Sequence, residues 1–100
     1  MSNVTINQQG TQLTVSINGR FDFNALREFS QCYEEVAGSG IQFLVDMNHA
    51  EYMDSSALGM LLNMRNHLFQ NGHSMEISNC NPNIKKIFTM AHFDKLFDFI

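Results

Sequence analysis

The hydrophobic period of this chain switches repeatedly between two residues and about 3.6, and each switch coincides with a breaker. Val4-Thr5-Ile6 and then Leu13, Val15 and Ile17 alternate with polar residues, as half-buried strands do. Gln9-Gly10 between them predicts a hairpin turn, and Gly19 an end to the second strand. From Asn24, a candidate N-cap, Leu26, Phe29, Tyr33 and Val36 fall on one helical stripe that stops at Gly38. The continuous apolar run Ile41-Gln42-Phe43-Leu44-Val45 predicts a central strand covered on both faces, ending at Asp46. An irregular stretch from Asn48 to Asp54 follows.

A second helix is expected from Ser55 to Gln70, with Gly72 as its stop and a core stripe of Leu58, Leu61, Leu62, Leu68 and Phe69. Met75 and Ile77 mark another strand. Asn81-Pro82 is a cap followed by proline at the first helical position, opening a helix that carries Ile84, Ile87 and Phe88. Leu96, Phe97, Phe99 and Ile100 close the chain as a last strand or a docked tail. The order β-β-α-β-α-β-α-(β) implies crossover connections and parallel pairing. The predicted fold class is α/β: a small mixed sheet, antiparallel only at its N-terminal hairpin, with helices packed on it.

Composition removes whole classes of function. With 44% apolar and 16% charged residues, a 100-residue chain has enough apolar side chains for a core and is expected to form one domain. Its net charge of −4 and six scattered bases exclude a nucleic-acid footprint. The acids are unevenly placed: seven against two bases in residues 1–54, three against four bases in residues 55–100. Cys32 and Cys80 are far apart and match no disulfide framework or zinc motif, as in a cytoplasmic protein. The N-terminal residues carry no signal-peptide pattern, and no apolar run approaches the ~18 residues of a membrane span. No membrane insertion and no cofactor are expected.

The informative stretch runs from Tyr52 to Leu62, where Asp54, Ser55 and Ser56 sit as a loop becomes a helix. Free N–H groups and the helix dipole favour a carboxylate, a hydroxyl or a phosphate there. Locally, Asp54 or Ser55 serves as an N-cap. That leaves the second serine unassigned, and at about 100° per residue it places Met60 and Met64 away from the leucine stripe. Ser56, Met60 and Met64 then read as an adaptable contact surface for a partner.

Asp54-Ser55-Ser56-Ala57-Leu58-Gly59-Met60-Leu61 resembles the D-S-[ST]-[GA]-L-G-x-L signature of STAS domains, the anti-sigma factor antagonists. Gly19-Arg20-Phe21-Asp22 is similar to that family's G-x-[LF]-D element, and Ile84 to Phe88 with Phe93 and Leu96 is similar to its closing helix. The resemblance implies a STAS-like fold and a partner switch with no catalytic site of its own. A serine kinase of the histidine-kinase-like ATP-binding fold, often itself the anti-sigma factor, phosphorylates the serine after the motif aspartate. A PP2C-type phosphatase reverses this, and only the unphosphorylated form binds the kinase or anti-sigma partner. By position the phosphoacceptor is Ser55, with Asp54 and Asp22 supporting the site; the helical wheel favours Ser56 as the more outward hydroxyl. Ala57 stands where the family commonly has glycine, and the chain stops at Ile100 without the extra C-terminal helix of longer members.

Three other readings compete. A serine hydrolase assembled from Ser55, His49 and Asp54 matches no elbow motif. A metal site from His49, Glu51 and Asp54 needs a loop to converge, and His67, His73 and His92 are dispersed, as surface residues are. Within the same fold, an accessory subunit of an ABC-type lipid transport complex needs no phosphoserine.

Overall fold

Leu13, Val15 and Ile17 send their side chains to one face of a strand, and the structure buries all three. In this computed structural model residues 3–34, 36 and 38–100 are described. They form strands β1 (Val4–Gln9) and β2 (Gln12–Phe21), helix α1 (Leu26–Glu34), strand β3 (Gln42–Met53), helix α2 (Ser55–Gln70), strand β4 (Ser74–Ser78), helix α3 (Pro82–Met90) and strand β5 (Asp98–Phe99). The five strands lie side by side in sequence order; β1 is antiparallel to β2 and the rest are parallel. The closing segment is therefore a strand. Gly10, with φ of 61° at the first position of the two-residue turn, closes the hairpin as a type II′ turn requires.

The sheet is covered on one face only. Val15, Val45 and Ile77 stand opposite one another across β2, β3 and β4 and are fully buried. Phe99 extends that row and meets Phe88 of α3 with ring centroids 5.1 Å apart. Phe21 of β2 meets Phe29 of α1 at 5.0 Å. The opposite face presents Thr14, Ser16, Leu44, Asp46 and Glu76, all half-buried. Leu44 thus lacks the covering expected for a central strand. A thickness of 20 Å fits one sheet and one helix layer about 10 Å apart.

Several boundaries differ from the sequence pattern, each for a physical reason. β2 does not end at Gly19 but continues to Phe21, with Gly19 at φ 70° where the register shifts. β3 does not end at Asp46: it runs on to Met53 and absorbs the expected irregular stretch. Two register shifts against β2 each add one residue to β3, so its buried residues fall at Phe43, Val45 and Met47 and then at Ala50 and Met53. The spacing changes from two to three, which erases strand alternation from the sequence. The cap before α1 is Asp22 rather than Asn24; its carboxylate accepts the Asn24 N–H at 3.0 Å and starts a 3-10 turn over Phe23–Ala25. The expected stop of α1 at Gly38 lies beyond Glu34, and residues 35 and 37 are outside those described.

The buried stripe of α2 is Ala57, Met60, Leu61, Met64 and Leu68. The expected stripe is therefore rotated: Leu58 and Leu62 are only half-buried, and Phe69 is 51% exposed with the Arg65 guanidinium over its ring. Apolar side chains flank the helix on both sides, and contact with α1 and β4 selects the methionine side. Nor is His73 a surface residue. It is 7% exposed, and its Nδ1 accepts the Ile41 N–H at 3.1 Å where β3 begins.

Met64→Ala is expected to destabilise the fold by about 2–5 kcal/mol, as truncation of a buried methionine does. Phe69→Ala should cost only about 0.5–1 kcal/mol, the cation–π contact with Arg65. Urea denaturation of the two variants checks which side of α2 faces the core.

Candidate functional site

The parallel pairing of β2 with β3 sets Phe21 opposite Met53, both buried. One residue later each strand reaches an aspartate, Asp22 and Asp54, and each aspartate caps the turn or helix that follows. The two predicted acids thus come together at the carboxyl end of the sheet, at the starts of adjacent elements.

Asp54 is extended (φ −109°, ψ −176°), as an N-cap must be, and its Oδ1 accepts the Ala57 N–H at 3.1 Å. The same oxygen accepts the Ser56 hydroxyl at 2.6 Å. Together the Ser56 and Ala57 hydrogen bonds, with the Ser56 bond dominant, hold the Asp54 carboxyl below the ordinary carboxylate range. Ser56 is half-buried and its proton is committed to Asp54. Ser55, the first residue of α2, is exposed, and its hydroxyl has no hydrogen-bond partner among the described residues. Ser55, and not Ser56 as the helical wheel predicts, is the more outward hydroxyl, because the cap draws the Ser56 side chain back over the helix end. Ala57, in place of glycine, is fully buried under the first turn.

The contact surface expected from Ser56, Met60 and Met64 is not formed. Met60 is 5% exposed and Met64 0%. The exposed line of α2 instead runs through Ser55, Gly59, Asn63, Asn66 and Gln70. Near the ends of β2 and β3 stand three residues that the sequence did not single out for contact, Arg20, Phe23 and Tyr52, all exposed. Arg20 pairs with Tyr52 across the sheet, its guanidinium 4.5 Å from the Tyr52 ring centroid and its Nε 3.5 Å from Asp22 Oδ2. Only the register links Arg20 with Tyr52, so with residues 48–54 read as irregular the two had no reason to meet.

His49 is exposed with its Nε2 3.4 Å from Asn48 Nδ2, and Asp54 turns its carboxylate to Ser56 and Ala57. Among the described residues no three His, Cys, Asp or Glu side chains form a group that holds a metal ion, and no helix is long and apolar enough to cross a membrane.

Residues 3–100 match the family model of the STAS domain. The chain belongs to the STAS domain family. It is 43% identical over 88 residues to a STAS-domain containing protein of Pseudomonas aeruginosa, covering 88% of this chain and 87% of that protein. Among solved structures it resembles a sulfate transporter family protein from Wolinella succinogenes (TM-score 0.82, 13% identity, 93% of this chain and 80% of that one). It also resembles the anti-sigma factor antagonist SpoIIAA in its unphosphorylated form (TM-score 0.76, 16% identity, 97% and 87%). The likeness extends to Bacillus SpoIIAA in its phosphorylated form (TM-score 0.68, 16% identity, 97% and 90%). At these identities the solved structures show a shared STAS fold of five strands and three helices, as an anti-sigma factor antagonist has.

A carboxyl lowered in the folded state contributes stability above its unfolded value and loses it as pH falls through the folded one. Asp54 should therefore stabilise the fold in full above about pH 3.8 and progressively less below. Asp54→Ala is expected to cost about 1 kcal/mol at pH 7 by loss of the cap. Urea denaturation at pH 7 and pH 3 should show a smaller fall with acid in Asp54→Asn than in the unaltered chain.

Proposed function

We propose that this chain is a cytoplasmic partner switch of the anti-sigma factor antagonist kind, with Ser55 as its phosphoacceptor. The observation that carries the reading is the division of labour between the two serines. Ser56 gives its proton to Asp54, whereas Ser55 is exposed and uncommitted at the first position of α2. The partner is an anti-sigma factor or equivalent serine kinase with a histidine-kinase-like ATP-binding fold, and a PP2C-type phosphatase restores the hydroxyl.

Phosphorylation adds about −1.5 to −2 charges at pH 7. The free N–H groups of the first helical turn tolerate a phosphate, so the domain survives the modification. A docked partner meets a different surface. It must desolvate the phosphate together with Asp54 and Asp22, and a like-charge or desolvation cost of a few kcal/mol weakens binding by orders of magnitude.

Gly59 supports a partner face along α2. It lies one helical turn after Ser55, it is exposed, and a Cβ added there meets nothing within 4 Å. A glycine inside a helix costs about 0.5–1 kcal/mol relative to alanine, and among the described residues nothing within 4 Å requires it. A partner packed closely on this face of α2 would.

Phosphopeptide mass spectrometry of the protein from its native cells is expected to find phosphate on Ser55. The partner retained by Ser55→Ala, identified and then titrated, should bind Ser55→Asp at least about tenfold more weakly. Gly59→Ala should raise the stability of the free chain and lower affinity for that partner. A phosphate on Ser56 alone, equal binding by Ser55→Ala and Ser55→Asp, or an ABC transporter ATPase as the retained partner each overturns the proposal.

A further inference from the structure

Arg20 stands near the end of β2, two residues before Asp22, and its present contacts are weak ones. Its side chain is 65% exposed, its Nε lies 3.5 Å from Asp22 Oδ2, and its guanidinium rests on the exposed face of Tyr52. An exposed ion pair of that length and an exposed cation–π contact each hold a side chain by little. Arg20 therefore changes partner at small cost when a stronger one appears.

The strand register sets Arg20 toward the end of the sheet from which α2 starts. Arg20 stands opposite Tyr52, and Tyr52 is three residues before Ser55 on the adjoining strand. Neighbouring strands are about 4.8 Å apart. Asp22, which the guanidinium already touches, caps its turn at the same rim where Asp54 caps α2. A phosphate on the exposed Ser55 enters an end of the sheet whose charged groups include Asp22, Asp54 and Arg20. Its dianion outcompetes a single carboxylate for a guanidinium, since the planar fork of arginine matches phosphate oxygens in pairs.

We propose that Arg20 is the internal counter-ion of phospho-Ser55: on phosphorylation its guanidinium leaves Asp22 and the Tyr52 ring and closes on the phosphate. This rests on Ser55 as the phosphoacceptor and adds how the modified form is held. The pairing offsets repulsion between the phosphate and the two aspartates, so the modified domain stays folded. It also uncovers the Tyr52 ring and withdraws a cation from any docking surface. Phosphorylation then alters the partner face in two ways: it adds an anion and it moves a cation. No bond other than the phosphoester itself is made or broken; the guanidinium exchanges one anion for another.

The test uses the full chain carrying phosphoserine at 55, installed during translation, so it reads Arg20 whether or not cells modify that serine. Phosphorus NMR titration gives the second ionisation of the phosphate, ordinarily near pKa ~6. A guanidinium partner favours the dianion, so Arg20→Gln should raise this value by about half a unit at low salt. Arg20→Lys should recover part of the difference, and high salt should shrink it. The Tyr52 ring resonances should shift on phosphorylation in the unaltered chain and not in Arg20→Gln. The same ionisation in the unaltered chain and in Arg20→Gln, with both folded, overturns the counter-ion and leaves Ser55 as the acceptor untouched. Absence of phosphate on Ser55 in cells overturns the switch and leaves the titration readable.

Discussion

The parallel pairing of β2 with β3 is the constraint on which the rest of the structure depends. It sets Phe21 beside Met53 and so brings two chain segments 32 positions apart to the same rim. Two extra residues in β3 bend the strand and re-aim its last third, as bulges near functional sites commonly do. Without them Ala50 and Met53 would lose their places over the helix layer. The edge that β3 leaves bare beyond β4 is closed by Asn81, whose amide donates to the Ala50 carbonyl at 2.8 Å while its oxygen caps α3. One asparagine thereby starts a helix and fixes it to the strand that leads to Ser55.

At that rim a single carboxylate oxygen settles how the two serines differ. Asp54 Oδ1 takes both the Ala57 N–H and the Ser56 hydroxyl, and this keeps the cap ionised and the second serine occupied. Ser55 is left as the accessible hydroxyl on a helix end that already suits an anion. In the proposed switch these surroundings would receive the charge of a modification made and removed by other enzymes. Arg20, loosely held between Asp22 and Tyr52, is the part of the rim with freedom to respond.

Much of the fold was legible because local patterning decides it. The period-two runs of β2, the Asn81-Pro82 start of α3 and the span of α2 from Ser55 to Gln70 all appear where the sequence places them. The failures share a cause. The second half of β3 reads as irregular because bulges replace a spacing of two by three at Met47, Ala50 and Met53. The wheel of α2 is misaligned because apolar residues flank it on both sides, so Met60 and Met64, expected at the surface, are buried. His73 looks like a surface histidine until the Ile41 N–H claims its ring nitrogen.

By itself the sequence determined the elements, their order and the helix-start motif of Asp54, Ser55 and Ser56, because caps, breakers and periodicity act over a few residues. Only the tertiary structure decided which face of α2 is buried, which serine is free, and that Arg20 meets Asp22 and Tyr52 at the end of the sheet. Those outcomes depend on strand register, and register is set by packing between segments far apart in the chain, which no local pattern records.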